Sequence, residues 1–404
     1  MPKKAVLIVI DGLGDLPCPE LKGMTPLEAA KKPVIDSLSA EGETGFMNTI
    51  APGVIPGSDT AHLALFGYDP YLFYFGRGIY EALGAGFELE ESDVAFRANL
   101  ATLKDSIIKD RRAGRDDKYM KELYSSVDGM KIEDIKVISK HTSEHRGVVI
   151  FRGNGLSNLI TDADPHKTGE KPLESKPKDN SLQADKAARL LNEFTRRGIE
   201  LLSNSEWNQK RVKEGFLPGN VILLRGAGAY RKVDSLEKRF GIRMSCVAGG
   251  ALYKGVARFV GMKVLNVLGA TGDKNTSLKA KLDAAVKAKE ESDIVFLHIK
   301  APDSFSHDGK PVEKKQFIEK IDKEVMKEIK ENFDVVALTG DHSTPCSMKE
   351  HSGDAVPVLV WGKNCRKDKG IFSESNPSPT LFIRGLDVLN ILLSKIEKLD
   401  KFGE

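Results

Sequence analysis

Cysteine is scarce in this chain: four residues in 404, Cys18, Cys246, Cys346 and Cys365, with no C-x-x-C pair among them. That spacing argues against a disulfide framework and a thiolate zinc site, and it fits a reducing cytoplasm. Net charge is nearly absent as well, +3 from 61 basic against 58 acidic residues, so neither nucleic acid nor a membrane is implied as a partner by bulk attraction. No apolar run approaches the roughly 20 residues of a membrane span, and the six residues AVLIVI before Asp11 are too short for a signal-peptide core. There is no internal repeat and no extended low-complexity tract. What remains reads as an ordinary soluble protein, long enough for two domains and, at 40% apolar, able to build a core in each.

The two ends of the chain share one rhythm. Residues 4–10 read as a strand, followed by the Gly-rich turn Asp11-Gly-Leu-Gly and a helix opened by Thr25-Pro26 that carries Leu27, Ala30, Val34, Ile35 and Leu38 on one face. From about Asp293 the pattern returns: a strand, a polar turn, a charged helix over 312–331, another strand, another polar turn and a last strand at 356–361. Between them the character changes, with strands expected at 135–139, 147–151 and 221–224 and a helix at 182–202. The expected division is therefore a discontinuous domain of residues 1–89 and 237–404 with an inserted domain at 90–236. Inside the insert, TDADPHKTGEKPLESKPKDN (161–180) has no periodicity and is long for a loop in a compact domain, the kind of segment that serves as a lid or binding loop.

Carboxylates and imidazoles collect immediately after the apolar runs: Asp11 after AVLIVI, Asp303 after DIVFLHIK, and Asp341-His342 after DVVALTG. Open α/β sheets place their chemistry at such carboxyl ends. Asp303 and His307, four apart, face the same way on a helical turn and can share a metal, and His351 lies in a Gly- and Ser-bearing loop where it has no core to fill. Oxygen and imidazole ligands without thiolate suit Mn²⁺, Zn²⁺ or Mg²⁺ in a catalytic role. Ser58 precedes an apolar helical stretch; a serine there is usually an N-cap, yet the same position favours a bound phosphate.

These motifs carry a resemblance. VLIVIDGLGD, PGSDTAHLALFGYDP around Ser58, GRGIYEALGAG, DVAFRANLAT, DRRAGR, APDSFSHDGK and LTGDHSTPC are similar to the cofactor-independent phosphoglycerate mutases of the archaeal type, within the alkaline phosphatase superfamily, over essentially the whole chain. The resemblance implies a doubly wound α/β, alkaline-phosphatase-like metal domain and an inserted α+β substrate domain acting as a mobile cap. It implies two divalent ions, drawn from Mn, Zn, Co or Mg, one held by Asp303, His307 and His351 and the other by Asp11, Ser58, Asp341 and His342. Ser58 would be the nucleophile that carries the phosphoryl group between 2- and 3-phosphoglycerate, without 2,3-bisphosphoglycerate, in glycolysis and gluconeogenesis. His145, Arg146, Asp164, His166 and Arg225 in the insert and Lys254 beyond it match family-like positions for substrate contact. The run Asp110-Arg111-Arg112-Ala-Gly-Arg115 is a further basic turn within reach of such a role. Oligomeric state is not readable from the sequence.

Overall fold

The structure, a computed structural model, describes residues 2–363, 365–401 and 403. It divides into two compact units, Met1–Tyr74 with Val233–Glu404, and Phe75–Lys232. The break falls at 74/75 and 232/233, not at the expected 89/90 and 236/237. The helix Arg77–Gly84 accounts for most of the difference, because it packs on the strands Val94–Lys104 and Val221–Ala229 of the second unit and pairs Glu81 with Arg97.

The first unit is built on one sheet that uses both ends of the chain. Its strands run in the order Lys263–Val264, Met244–Val247, Ile294–Ile299, Ala5–Ile10, Val335–Thr339, Val356–Gly362, Glu43–Asn48 and Leu381–Arg384. Val356–Gly362 is antiparallel to both neighbours, while the other pairings are parallel. All six residues of Ala5–Ile10 and of Ile294–Ile299 are buried, as expected of parallel strands covered on both faces. Val6, Ile8 and Ile10 share a core with Leu27, Ile35, Leu282, Ile318 and Ile329 from the helices.

Three local expectations change. The helix expected after Thr25 is two pieces, Pro26–Ala29 and Pro33–Glu41, because Pro33 lacks an N–H and disfavours helical backbone in the residue before it. The charged helix over 312–331 is present as Pro311–Ile321 and Lys327–Asn332, joined by a π-turn at Asp322–Met326. At that turn the Asp322 carboxylate accepts the Val34 and Ile35 N–H groups, so one acid serves the free donors of a neighbouring helix. Val356–Gly362 is also not the last strand: Leu381–Arg384 and the helix Gly385–Lys395 follow it.

The second unit is an antiparallel sheet centred on the long strand Val94–Lys104, flanked by Arg146–Arg152 and Val221–Ala229. Phe96, Ala98, Leu100, Val149, Phe151 and Leu224 form its core with Phe194 and Leu191 of the helix Leu182–Ser203. The segment 161–180 is pinned along its length to this same unit. Thr161 N–H bonds to Lys176 O, Leu173 N–H to Ala163 O, Gly169 N–H to Ile108 O, and Ser175 exchanges bonds with Asn192.

Candidate active site

Ile294–Ile299, Ala5–Ile10 and Val335–Thr339 are adjacent parallel strands, so their carboxyl ends deliver Asp303, Asp11 and Asp341 to one place. Gly12 makes the turn after Asp11 possible: its φ is +63°, its N–H donates to Asp341 Oδ1 at 3.0 Å, and a Cβ there would meet Asp303 at 2.9 Å. Asp303 and His307 lie on one short helix, Ala301–His307, with His307 Nε2 3.4 Å from Asp303 Oδ1. His351 stacks on His342 at 3.6 Å between ring centroids. Two groups of potential metal ligands result, Asp303, His342 and His351, and Asp11, Asp341 and His342, with His342 common to both.

Ser58 is not a cap. It is the first residue of the helix Ser58–Leu65, whose N-cap is Gly57, and its hydroxyl is free to face His342 Nε2 at 3.3 Å. Contacts of 3.2 to 3.8 Å thus connect all seven residues expected at the metal centre, with His342 in both ligand groups and His307 joined to them through Asp303.

The imidazoles are aimed by the same device. His307 Nδ1 donates to Lys349 O at 2.7 Å and His351 Nδ1 to Pro56 O at 2.8 Å, which leaves each Nε2 with a lone pair for a cation. His342 Nδ1 donates to Thr344 Oγ1 at 2.9 Å, and that hydroxyl in turn donates to Asp303 Oδ1 at 3.1 Å. His342 Nε2 therefore faces Asp341 Oδ2 at 3.2 Å, an arrangement that repels unless a proton or a metal bridges it. Asp11 Oδ1 and Asp341 Oδ2 are buried without a hydrogen-bond partner, again the signature of a site built for cations. The donor set thus fits divalent metal ions of the hard to borderline class.

Electrostatics agree. Burial opposes ionisation of Asp11, yet Lys300 and His298 hold its carboxyl well below the usual range. The hydrogen bond to Asp303 pushes His307 up to about 9, so a metal at that nitrogen displaces a proton at neutral pH. His298, fully buried, is pushed down to about 4 by desolvation despite its 3.0 Å contact with Asp11 Oδ2.

The basic residues expected to meet substrate fall mostly in the second unit. In the sheet Arg97 lies opposite Arg225, and Asn99 opposite Arg146, so the four share the face turned away from the Phe96 core. Asp164, fully buried, takes Arg111 at 2.6 and 3.0 Å and the His166 N–H at 2.9 Å, with Arg225 Nε 3.7 Å away. His166, held at φ +63°, receives Arg225 Nη1 on its Nδ1 at 3.3 Å. His145 is buried beside them. Desolvation and the adjacent Arg77, Arg225 and Arg146 push Arg97 down to about 10, although Glu81 opposes the shift. Arg146 Nε, Arg225 Nε, Asn99 Oδ1 and His145 Nδ1 are buried without a hydrogen-bond partner. Lys254 is half-buried on the helix Ala251–Phe259 of the first unit.

Comparison with known proteins decides the family. Residues 39–208 match the family model described as 2,3-bisphosphoglycerate-independent phosphoglycerate mutase. A protein of that name from Saccharolobus islandicus is 44% identical, the alignment covering 99% of each chain. The Methanocaldococcus jannaschii 2,3-bisphosphoglycerate-independent phosphoglycerate mutase 1 is 42% identical with the same coverage. Among solved structures, the PH0037 protein of Pyrococcus horikoshii matches over 100% of both chains at 36% identity and a TM-score of 0.86. A cofactor-independent phosphoglycerate mutase from Thermoplasma acidophilum matches at 33% identity and a TM-score of 0.70, over 98% of this chain and 100% of its own. The chain belongs to the 2,3-bisphosphoglycerate-independent phosphoglycerate mutase family.

Within this member of the family, sequence reasoning missed His62, His298, Lys300, Thr344 and Arg97. His62 is fully buried, and its Nδ1 donates to Ser58 O at 2.6 Å. Its signal was the spacing, four residues after Ser58 on the same helix. His298 interrupts an otherwise apolar buried strand, a position that reads more naturally as a satisfied core histidine. Lys300 Nζ lies 2.8 Å from Asp303 Oδ2 and 3.5 Å from Asp11 Oδ2, linking the two groups of ligands. Arg97 sits in mid-strand, and only the register with Arg225 reveals its company.

Proposed function

We propose that this chain interconverts 2- and 3-phosphoglycerate through a phosphoserine at Ser58, independently of 2,3-bisphosphoglycerate, and so serves glycolysis and gluconeogenesis in the cytoplasm. Family membership supports the reaction, and the single observation that carries the mechanism is the Ser58 hydroxyl at a helix N-terminus, 3.3 Å from a histidine common to both ligand groups. Asp303, His307 and His351 would hold one divalent ion, and Asp11, Asp341, His342 and Ser58 a second, with Mn²⁺, Zn²⁺, Co²⁺ and Mg²⁺ all compatible. When bound, such ions supply the Lewis acidity that eases deprotonation of a serine hydroxyl and neutralises charge on phosphoryl oxygens, the chemistry of alkaline-phosphatase-like centres.

The protein's own residues do the rest. His62 holds the Ser58 carbonyl and with it the first turn of the helix, so Oγ is presented in one position and the free N–H groups of that turn favour an anionic group. Ser58 Oγ forms a bond to phosphorus as the bond from phosphorus to the glycerate oxygen breaks. The serine gives up one proton and the departing oxygen gains one. The other hydroxyl of the glycerate then reverses the step.

The arginine-rich face of the Phe75–Lys232 unit supports recognition of a substrate that carries both a phosphate and a carboxylate. Arg97, Arg146 and Arg225 are the direct contacts in this reading, since guanidinium groups match such anions in bidentate fashion, with His145 and His166 as neighbouring imidazoles; Lys254, on the first unit, is a further candidate cation. Asp164 acts through Arg111 and Arg225, because a fully buried carboxylate already paired with arginine repels an anion while it fixes the arginines.

A coupled assay for 2-phosphoglycerate formation from 3-phosphoglycerate, run with and without chelator beside a measurement of free phosphate, tests the proposal. Metal-dependent conversion with little phosphate release is expected. Phosphate release without conversion would make the chain a phosphomonoesterase.

A further inference from the structure

Lys314 is a fully buried lysine on the helix Pro311–Ile321, which follows the helix that carries Asp303 and His307. Burying an ammonium costs several kcal/mol unless its donors are met, so its partners show what that cost is set against. Nζ reaches Asp15 Oδ2 at 2.8 Å, Gly14 O at 3.3 Å and Thr344 O at 3.3 Å. Two of these acceptors belong to the loop after Asp11 and the third to the loop after Asp341. Asp15 strengthens the same link, for its other oxygen takes the Cys346 N–H at 3.0 Å, and Thr344 N–H donates to Gly14 O at 2.9 Å. The loops approach so closely at Gly14 that a Cβ there would lie 2.0 Å from Ser343 Oγ.

Thr344 is the far end of this connection. Its backbone is held by Lys314, and its hydroxyl accepts from His342 Nδ1 at 2.9 Å and donates to Asp303 Oδ1 at 3.1 Å. One hydroxyl therefore sets the orientation of the histidine common to both ligand groups and of the carboxylate in one of them.

We propose that Lys314, Asp15 and Thr344 are positioning residues that fix both metal-ligand groups at once, with Thr344 as the relay. Partners in the second shell of a metal typically contribute 10- to 100-fold in affinity by fixing tautomer and orientation. The proposal rests on the two-metal reading above, and its test separates the two.

The full chain, stripped with chelator, is titrated with Mn²⁺ by calorimetry as wild type, Thr344→Val, Thr344→Ser and Lys314→Met/Asp15→Asn, the last removing both charges of the buried pair. Thr344→Val keeps the shape and loses the hydroxyl. It is expected to weaken Mn²⁺ binding by about 10- to 100-fold, with the melting temperature of the metal-free protein little changed, and Thr344→Ser is expected to restore affinity. The double variant is expected to weaken Mn²⁺ binding as Thr344→Val does. If wild type binds neither Mn²⁺ nor, in parallel titrations, Zn²⁺, Co²⁺ or Mg²⁺, the metal reading itself fails. If wild type binds and Thr344→Val binds equally well, or if Thr344→Ser does not rescue, the relay is refuted. Should the double variant not fold, the threonine pair alone decides.

Discussion

The two units solve opposite electrostatic problems with opposite means. In the Met1–Tyr74 and Val233–Glu404 unit, Asp11, Asp303 and Asp341 converge, and the imidazoles of His307, His342 and His351 are each fixed through Nδ1 so that their lone pairs add to a site for cations. In the Phe75–Lys232 unit, Arg97, Arg146 and Arg225 converge on a sheet face with Arg77 nearby, leaving donors for anions. Like charges opposite one another are unfavourable in both places, and a fold keeps such arrangements where a ligand of the other sign relieves them. The first collection is rigid because strand ends and backbone carbonyls set it. The second is held by side chains, with Asp164 and Glu81 as its main internal counterweights.

That contrast can be broken at several points. Ser58→Ala carries the largest expected effect, a loss of at least about 10⁴-fold in mutase turnover with the thermal melt unchanged. Retained turnover would remove the serine from the chemistry. Asp341→Asn should come next, lowering bound metal measured by elemental analysis and activity together, whereas Arg225→Ala should leave metal content intact and raise KM for phosphoglycerate by about 10- to 100-fold, as expected for a charge-assisted contact worth about 1.5 to 3 kcal/mol. If Arg225→Ala lost metal instead, the division of labour between the units would be wrong.

The smallest expected effect is on stability. Burial and then Arg146, Arg112 and Arg115 push His145 down to about 4 in the folded chain, against about 6.5 unfolded. The folded state thus prefers the neutral ring, so its contribution is complete above pH 6.5 and is lost as the pH falls toward 4, when the unfolded chain takes up the proton. Between pH 7 and pH 5 this amounts to at most about 2 kcal/mol. Melts of wild type and His145→Gln at the two pH values check it, since the variant should show a flatter dependence.

The same contrast governs how much of the fold and of the site is legible in the amino-acid sequence. Asp11, Asp303 and Asp341 each follow an apolar run, so their convergence is legible as soon as those runs are taken as neighbouring parallel strands. Thr344 and Lys314 are not legible, because a threonine two residues past a ligand and a lysine in a charged helix reveal nothing until a backbone carbonyl and a carboxylate are found beside them. Arg97 is hidden for a related reason: alternation along Val94–Lys104 says which face it takes, but only the pairing with Val221–Ala229 says that Arg225 shares it. The split of the helix at Pro33 is written in the proline itself, but the apolar stripe running across it argues for one continuous helix, and the proline prevails. The unit boundary near Phe75 lacks any signal in composition, since helix Arg77–Gly84 looks the same whichever sheet it covers.

The most direct measurement is acid quench of the metal-loaded enzyme during turnover of 3-phosphoglycerate, followed by mass spectrometry of the peptide that contains Ser58. A peptide heavier by one phosphoryl group, with the modification on Ser58 and its amount rising to a steady level while 2-phosphoglycerate forms, is the predicted result. Conversion at full rate with Ser58 unmodified at every quench time, or with the phosphoryl group on another residue, would contradict the account.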